Sequence, residues 1–491
     1  MSDSAREPDD FSPEEDEVYV APASFAQQRL WSLDRILPGL PTYNVPLGLR
    51  LSGPLREDVL ALALGGVVER HETLRTALGI EDGEAVQLIS PWVDLPLPRA
   101  DLAALPEPVR DEEVLRLLRE GSTQPLDLAV APLLRAVLFR LEPEERVLFL
   151  LLHHAVTDAV SVEILMRDLF EIYDARLAGR PPRLPELTIQ YADYAAWQRQ
   201  WLSGEALEMR LQPWRRRLAG APFELRLPSD RPRTGKVDPR GAVVPFHWPD
   251  SLHAAVHAWT RETGLTSYMT VLAAFQALLA RHSGQDDLLV GSPVANRNRV
   301  QTENVVGLFA NVVVLRGDMR DGPTFREHAA RAREATLEAF DAEDLPFEKL
   351  VEDLRPERRL DQNPLFQVAF GFQKQPLPPG HAETGLVLRA MTAHSGTAKF
   401  ELTLTVTEDP AWFQGAWEYS TALFDATTVA RLATHMEVLL ADALANPGRR
   451  LGELALLTAA ERHQLLSERT DSAAPYPRDA AIHELFAAQV E

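Results

Sequence analysis

Six apolar residues, Val147-Leu148-Phe149-Leu150-Leu151-Leu152, run straight into His153-His154-Ala155-Val156-Thr157-Asp158-Ala159-Val160-Ser161. The run is too short for a helix of its own and apolar throughout, which predicts a buried strand. From Val162 the period changes, and Val162, Leu165, Met166, Leu169, Tyr173 and Leu177 share one face of a helix. The two histidines therefore stand on a strand-to-helix connection with a core element on either side. Alternate side chains of a strand face opposite ways, so His153 and His154 cannot do the same job. One is expected to point into a cleft and the other into packing. A neutral imidazole in a cleft can take a proton from an incoming amine or hydrogen-bond a developing charge. The same residues also read as plain structure, with the pair packed at a strand end and Asp158 capping the following helix. No metal is expected: adjacent histidines are not spaced for one ligand face, and H-E-x-x-H is absent.

The surrounding chain is long enough, at 491 residues, for two or three core-forming units. Hydrophobic and charged shares of 45% and 25% are those of an ordinary globular protein. A formal net charge of −22 argues against nucleic-acid binding as the main task, although a local basic patch can still meet an acidic protein partner. The absence of cysteine excludes disulfides, a thiol nucleophile and a thiolate metal site, so no acyl group is held on this chain as a thioester. No apolar run reaches the length of a membrane span, and the N-terminus lacks the basic and apolar regions of a signal peptide. A cytoplasmic setting is expected, with no membrane attachment.

Taken in order, the chain carries further punctuated stretches. Ser24-Phe25-Ala26-Gln27-Gln28-Arg29-Leu30-Trp31 precedes Tyr43-Asn44-Val45-Pro46, and Leu47 to Leu51 alternate like a strand. A helix from about Asp58 carries Arg70-His71-Glu72-Thr73-Leu74-Arg75-Thr76, and the tract from Pro91 to Pro108 reads as loop plus a short strand. Tyr191-Ala192-Asp193-Tyr194-Ala195-Ala196-Trp197 lies on a helix, and Pro228, Asp230, Pro232 and Gly235 mark a linker. In the second half a helix from about Thr266 to His282 is closed by Gly284. A strand over 288–294 leads to Ala295-Asn296-Arg297. Gly307-Leu308-Phe309-Ala310-Asn311, Asp344-Leu345-Pro346-Phe347 and Arg359-Leu360-Asp361-Gln362-Asn363 follow as a buried strand, a helix start and a turn. Strands are expected at about 385–392, 399–406 and 412–420, and a helix at about 425–445.

The pattern H-H-x-x-x-D on a strand running into a helix resembles the active-site motif of nonribosomal peptide synthetase condensation domains, which belong to the chloramphenicol acetyltransferase-like acyltransferases. The other stretches are similar to the family's remaining motifs, in order, from about residue 19 to 450. The Ser24–Trp31 stretch has the form typical of members that accept an L-configured donor. The resemblance implies an α/β fold, a pseudo-dimer of two acetyltransferase-like lobes in a V with a central tunnel. The implied division is a disordered leader over 1–18, one lobe over 19–190, a second over 191–455, and a linker with the start of a truncated adenylation domain over 456–491.

The implied reaction is peptide-bond formation, in which an acceptor amine attacks a donor thioester. Donor and acceptor peptidyl carrier proteins bring both groups in on 4′-phosphopantetheine arms, so this chain itself binds no cofactor. An adenylation domain is the expected C-terminal neighbour, and a monomer is expected because the two lobes are internal. His154 is assigned to the chemistry, with His153 beside it and Asp158 holding the loop. Arg75, in preference to Arg70, is expected to pair with Asp158. Trp31, Ser161, Ser292 and Asn311 are candidates for lining the tunnel. Ala159 stands where the family writes glycine, which implies strain if the backbone there needs a positive φ and none otherwise. A dehydrating variant and a non-catalytic recruitment platform of the same fold are the alternatives.

Overall fold

The computed structural model describes residues 17–357, 359, 362–374, 385–391, 394–470 and 480–490. The expected leader lies outside the described residues as far as residue 16, as do Leu360 and Asp361. The first half opens with strand β1 (Tyr19–Pro22), helix α1 (Phe25–Ile36), β2 (Asn44–Ser52), α2 (Glu57–Arg70), β3 (Thr76–Glu81) and β4 (Glu84–Ile89). It continues with β5 (Arg99–Asp101), α3 (Glu107–Ser122), β6 (Leu134–Glu142), β7 (Glu145–His153), α4 (Ala159–Leu177), α5 (Tyr191–Trp201) and α6 (Gly204–Leu218). The second half holds β8 (Gly241–His247), α7 (Asp250–Thr263), α8 (Ser267–Ser283), β9 (Asp287–Val294), β10 (Asn311–Asp318), α9 (Phe325–Asp341) and α10 (Phe347–Leu354). Strands β11 (Val368–Lys374), β12 (Val387–Met391), β13 (Leu402–Glu408) and β14 (Phe413–Ser420) and helix α11 (Ala426–Ala445) complete it. Helices α12 (Ala459–His463) and α13 (Ile482–Val490) follow.

Two large sheets give two α/β lobes, as expected. One has the order β12-β2-β7-β6-β5 and the other β10-β9-β11-β13-β14-β8, with a small β1-β4-β3 sheet beside the first. Strand β7 explains why its apolar run is continuous. Leu148, Leu150 and Leu152 face the cluster built with α2 and α4, while Val147, Phe149 and Leu151 face the cluster built with α1 and α3. A strand covered on both faces has no solvent side to alternate with. Burying each such side chain stabilises the fold by about 1.5–3 kcal/mol, which holds the end of β7 still.

The helix ends follow local chemistry. Asp158 accepts from the Ser161 amide at 2.7 Å and starts α4. Thr266 caps α8, and Gly284 ends it at φ 72°, a left-handed conformation that glycine adopts without strain. Two expectations are adjusted. The buried strand expected from Gly307 begins only at Asn311, because residues 307–310 are used to contact the other lobe. Strand β12 forms at the expected place but pairs antiparallel with β2, so a segment from the second half closes the edge of the first sheet. No single described helix is long and apolar enough to cross a membrane.

Candidate active site

The site is built where the two lobes meet, on the carboxylate of Asp158. This side chain is 2% exposed and accepts from backbone amides of both lobes: Ser161 at 2.7 Å, Phe309 at 3.0 Å and Ala310 at 3.1 Å. Its charge is met by Arg297, whose Nη2 donates to Oδ1 at 3.1 Å and to Oδ2 at 3.3 Å. The same Nη2 donates to Ser161 Oγ at 2.8 Å, and Nη1 donates to the carbonyl oxygens of Thr302 and Val305. The guanidinium lies 4.1 Å from the centre of the Phe309 ring. Ser161 closes the seam by donating to the Gly307 carbonyl at 2.8 Å and accepting from its amide at 3.0 Å. Any Cβ at position 307 would collide with the Tyr191 ring, so only glycine admits this approach.

Between β7 and α4 the chain makes one short helical turn, and that turn gives the two imidazoles opposite tautomers. The Ala155 amide donates to His153 Nδ1 at 3.1 Å, so the proton of a neutral His153 ring is on Nε2. His154 Nδ1 stands 2.7 Å from the Thr157 carbonyl oxygen, which can only accept, so His154 carries its proton on Nδ1 and its lone pair on Nε2. Burial, reinforced by the positive charge of Lys399, holds His153 down at about 4 and drives His154 well below the ordinary histidine value. Both rings are therefore neutral at pH 7. The turn is fastened from α1 by Gln27, whose Nε2 donates to the Ala155 carbonyl at 3.2 Å and to Gln87 at 3.3 Å.

A cavity of about 550 Å³ opens between α1 on one side and α10 and the start of β13 on the other. Its wall includes Arg29, Tyr43, His153, Glu348 and Lys399. The Tyr43 ring centre is 6.4 Å from that of His153. Arg29 reaches across to Glu348 at 2.9 Å, joining α1 to α10. Of the two histidines it is His153 that lines this wall; His154, the next residue, is outside the lining, densely surrounded by protein yet partly exposed, with its Nε2 unbonded among the described residues.

The Condensation domain family matches residues 18–466. This chain belongs to that family. It is a condensation domain of the nonribosomal peptide synthetase type, an amide-bond-forming enzyme. Over 470 residues it is 44% identical to part of the linear gramicidin synthase of Brevibacillus parabrevis, a match that takes in 95% of this chain and 6% of the matched polypeptide. Over 460 residues it is 41% identical to the phosphinothricin tripeptide synthetase PhsC of Streptomyces viridochromogenes, covering 93% of this chain and 42% of that protein. The chain thus spans less than half the length of either relative. Among solved structures it is similar to the X-domain in a complex with OxyB from teicoplanin biosynthesis (TM-score 0.80, 29% identity, 93% of this chain and 99% of that one). The first condensation domain of the calcium-dependent antibiotic synthetase shares its fold (TM-score 0.76, 21% identity, 90% of this chain and 99% of that one). The V-shaped pseudo-dimer of acetyltransferase-like lobes is the architecture of these relatives and of this condensation domain.

Several expected residues take other places. Arg75 does not pair with Asp158; it donates to the Ser90 carbonyl at 2.6 Å and stands 3.5 Å from Glu72, tying β3 to β4. Arg70 and His71 instead meet Asp168 on α4, each at 2.9 Å, and brace that helix from its far side. The partner of Asp158 is Arg297. Four expected lining residues are absent from the cavity wall. Trp31 packs in the core between α1 and β7, Ser161 is consumed by the interlobe seam, and Ser292 bonds Tyr268 and the Phe370 carbonyl inside the second sheet. Asn311 donates to the carbonyls of Glu343 and Leu345 and accepts from the Phe347 amide, which positions α10. Ala159 is the first residue of α4, has no positive φ and is exposed, so it neither strains the backbone nor supports its neighbours.

Removing Arg297 leaves a buried carboxylate without its cation, so Arg297→Ala is expected to cost about 3–5 kcal/mol in chemical denaturation. Arg75→Ala leaves every Asp158 contact intact and costs less; equal losses would contradict the assignment. The histidines give a second prediction. The unfolded chain binds protons near the ordinary value of 6.5, whereas folded His153 does not until about 4. Stability is therefore full above pH 6.5 and declines toward pH 4, by up to about 1.4 kcal/mol per pH unit per histidine. His153→Gln should flatten this acid limb in urea midpoints taken at pH 7 and pH 5, and an unchanged slope would refute it.

Proposed function

We propose that this condensation domain joins two carrier-borne aminoacyl groups, with His154 Nε2 as the atom that handles the proton. The tautomer imposed by the Thr157 carbonyl carries this assignment: of the two neutral rings, only His154 offers a lone pair at Nε2. The acceptor's α-amine forms the C–N bond to the donor thioester carbon, and its proton passes to His154 Nε2. Collapse of the tetrahedral intermediate breaks the C–S bond, and the departing sulfur takes that proton as a thiol. The phosphopantetheine arms arrive with their donor and acceptor carriers and belong to the substrates, while an adenylation domain follows in the parent synthetase. The Ser24–Trp31 stretch supports an L-configured donor.

Holding the amine and the thioester together in one site supplies much of the rate, since tethered reactants meet at high effective concentration. Proton transfer by a positioned imidazole contributes about 10²–10⁴-fold more. Asp158 has no free lone pair directed at substrate and serves as the positioning residue. Recruitment of another protein by a catalytically silent fold is the second possibility, raised by the likeness to the X-domain. The intact pair of oppositely protonated histidines argues for chemistry instead.

The test uses aminoacyl-loaded donor and acceptor carriers and intact mass spectrometry of the acceptor. Dipeptide formed by the wild type and lost by at least about 10²-fold in His154→Ala supports the proposal. A product lighter by one water indicates the dehydrating variant. Absence of product across several loaded pairs, or an unaffected His154→Ala, would refute it.

A further inference from the structure

The interlobe cavity holds a cation for which the reaction above has no use. Lys399 sits just before β13 on the cavity wall; the residue is exposed, although protein is dense around its side chain. Among the described residues its ammonium makes no ion pair and no hydrogen bond; its Nζ stands 5.7 Å from the centre of the Tyr43 ring. The acids around it are shared with other groups, and none forms an ion pair with its ammonium among the described residues. Glu348 is held by Arg29 at 2.9 Å and Glu401 by Arg233 at 2.9 Å, while Glu418 on β14 meets His394 at 3.2 Å and accepts from the Lys399 backbone amide at 3.4 Å. Burial lowers the Lys399 ammonium, Glu418 partly restores it, and Arg29 on α1 opposes it. An ammonium on a cavity wall with no direct ion pair or hydrogen bond of its own is available to a ligand that brings negative charge.

The same wall carries a second donor. Because His153 Nδ1 accepts from the Ala155 amide, the free ring atom, Nε2, bears the proton. His153, Tyr43 and Lys399 thus line one cavity with an N–H, a ring face and an ammonium. His154, with its lone pair, is the adjoining residue in the chain.

We propose that Lys399, assisted by the Nε2–H of His153, stabilises the oxyanion that forms on the donor carbonyl when the acceptor amine attacks. This rests on the peptide-forming function proposed above and adds to it the group that receives the developing charge. As the amine lone pair forms the C–N bond, the carbonyl π pair moves onto oxygen, facing the ammonium. The amine proton goes to His154 Nε2. Return of the electron pair from oxygen restores C=O and expels the sulfur, which leaves as thiol with the proton from His154. The cation also disfavours an ammonium in the cavity and so selects the free amine, the form that has a lone pair to attack with.

The test compares wild type, Lys399→Met and Lys399→Arg in single-turnover dipeptide formation with saturating loaded carriers. Methionine keeps an unbranched apolar stem without the charge, and arginine keeps the charge. Lys399→Met should lower the chemical rate by about 10²-fold, the usual effect of losing an oxyanion donor. Lys399→Arg should retain most of it, carrier affinity should be unchanged, and the unfolding midpoint should not fall because no ion pair is lost. In the unloaded protein, nuclear magnetic resonance should show the His153 titration moving up from about 4 in Lys399→Met. A wild-type rate in Lys399→Met, or equal losses in the methionine and arginine variants, would overturn the proposal. If the wild type itself makes no dipeptide, the peptide-forming function fails. The His153 titration then stands as a separate test of the cation, and an unmoved titration overturns its role at the histidines as well.

Discussion

Everything at the centre of this molecule hangs on one carboxylate that is almost out of reach of water. Asp158 accepts from the backbone amides of Ser161, Phe309 and Ala310 and is neutralised by Arg297. A buried charge is tolerable only when its hydrogen-bonding capacity is filled and its charge is met. Both conditions are satisfied here by groups from two lobes, so the side chain that starts α4 also fixes how the halves of the chain sit together. The loss of any one partner is felt at the histidine turn, because that turn is the short path between β7 and the capped end of α4.

The chemistry follows from this rigidity. Two adjacent imidazoles in a mobile loop would sample both tautomers and both protonation states. Here the backbone decides: an amide donates to one ring and a carbonyl accepts from the other. Burial keeps both neutral, and the nearby cation adds to that effect. The outcome is one ring that donates at Nε2 and one that accepts there, made from identical side chains at consecutive positions. The polar environment of the cavity is thus fixed before any substrate arrives, which is the condition under which electrostatic stabilisation is most effective.

Much of the architecture was legible in the sequence wherever the signal was local. The continuous apolar run before His153 reads as a strand covered on both faces, and the change of period at Val162 reads as a helix. Gly284 marks a helix end correctly because its left-handed conformation depends only on the chain around it. What escaped depends on residues far apart. Arg297 lies 139 residues from Asp158, and its own neighbourhood, with Asn296 at φ 50°, reads only as the end of a strand. An arginine in a charged helix end, Arg75, is a better local candidate and the wrong one, since Glu72 and the Ser90 carbonyl already occupy it. In the Ser24–Trp31 stretch the conspicuous tryptophan is packing, while the plain Gln27 holds the histidine turn. Lys399 carries no local signal at all, because what distinguishes it is its place on the cavity wall with Tyr43 and His153.

Thr157 fixes His154 as the neutral Nδ1–H tautomer, with a lone pair at Nε2. Nitrogen-15 magnetic resonance of the histidine rings, recorded at pH 7 with His154 assigned through His154→Gln, tests this directly. A protonated Nδ1 together with a bare Nε2 at His154, and the reverse at His153, is the predicted pattern. A proton on Nε2 of His154, or an imidazolium at that pH, would contradict it.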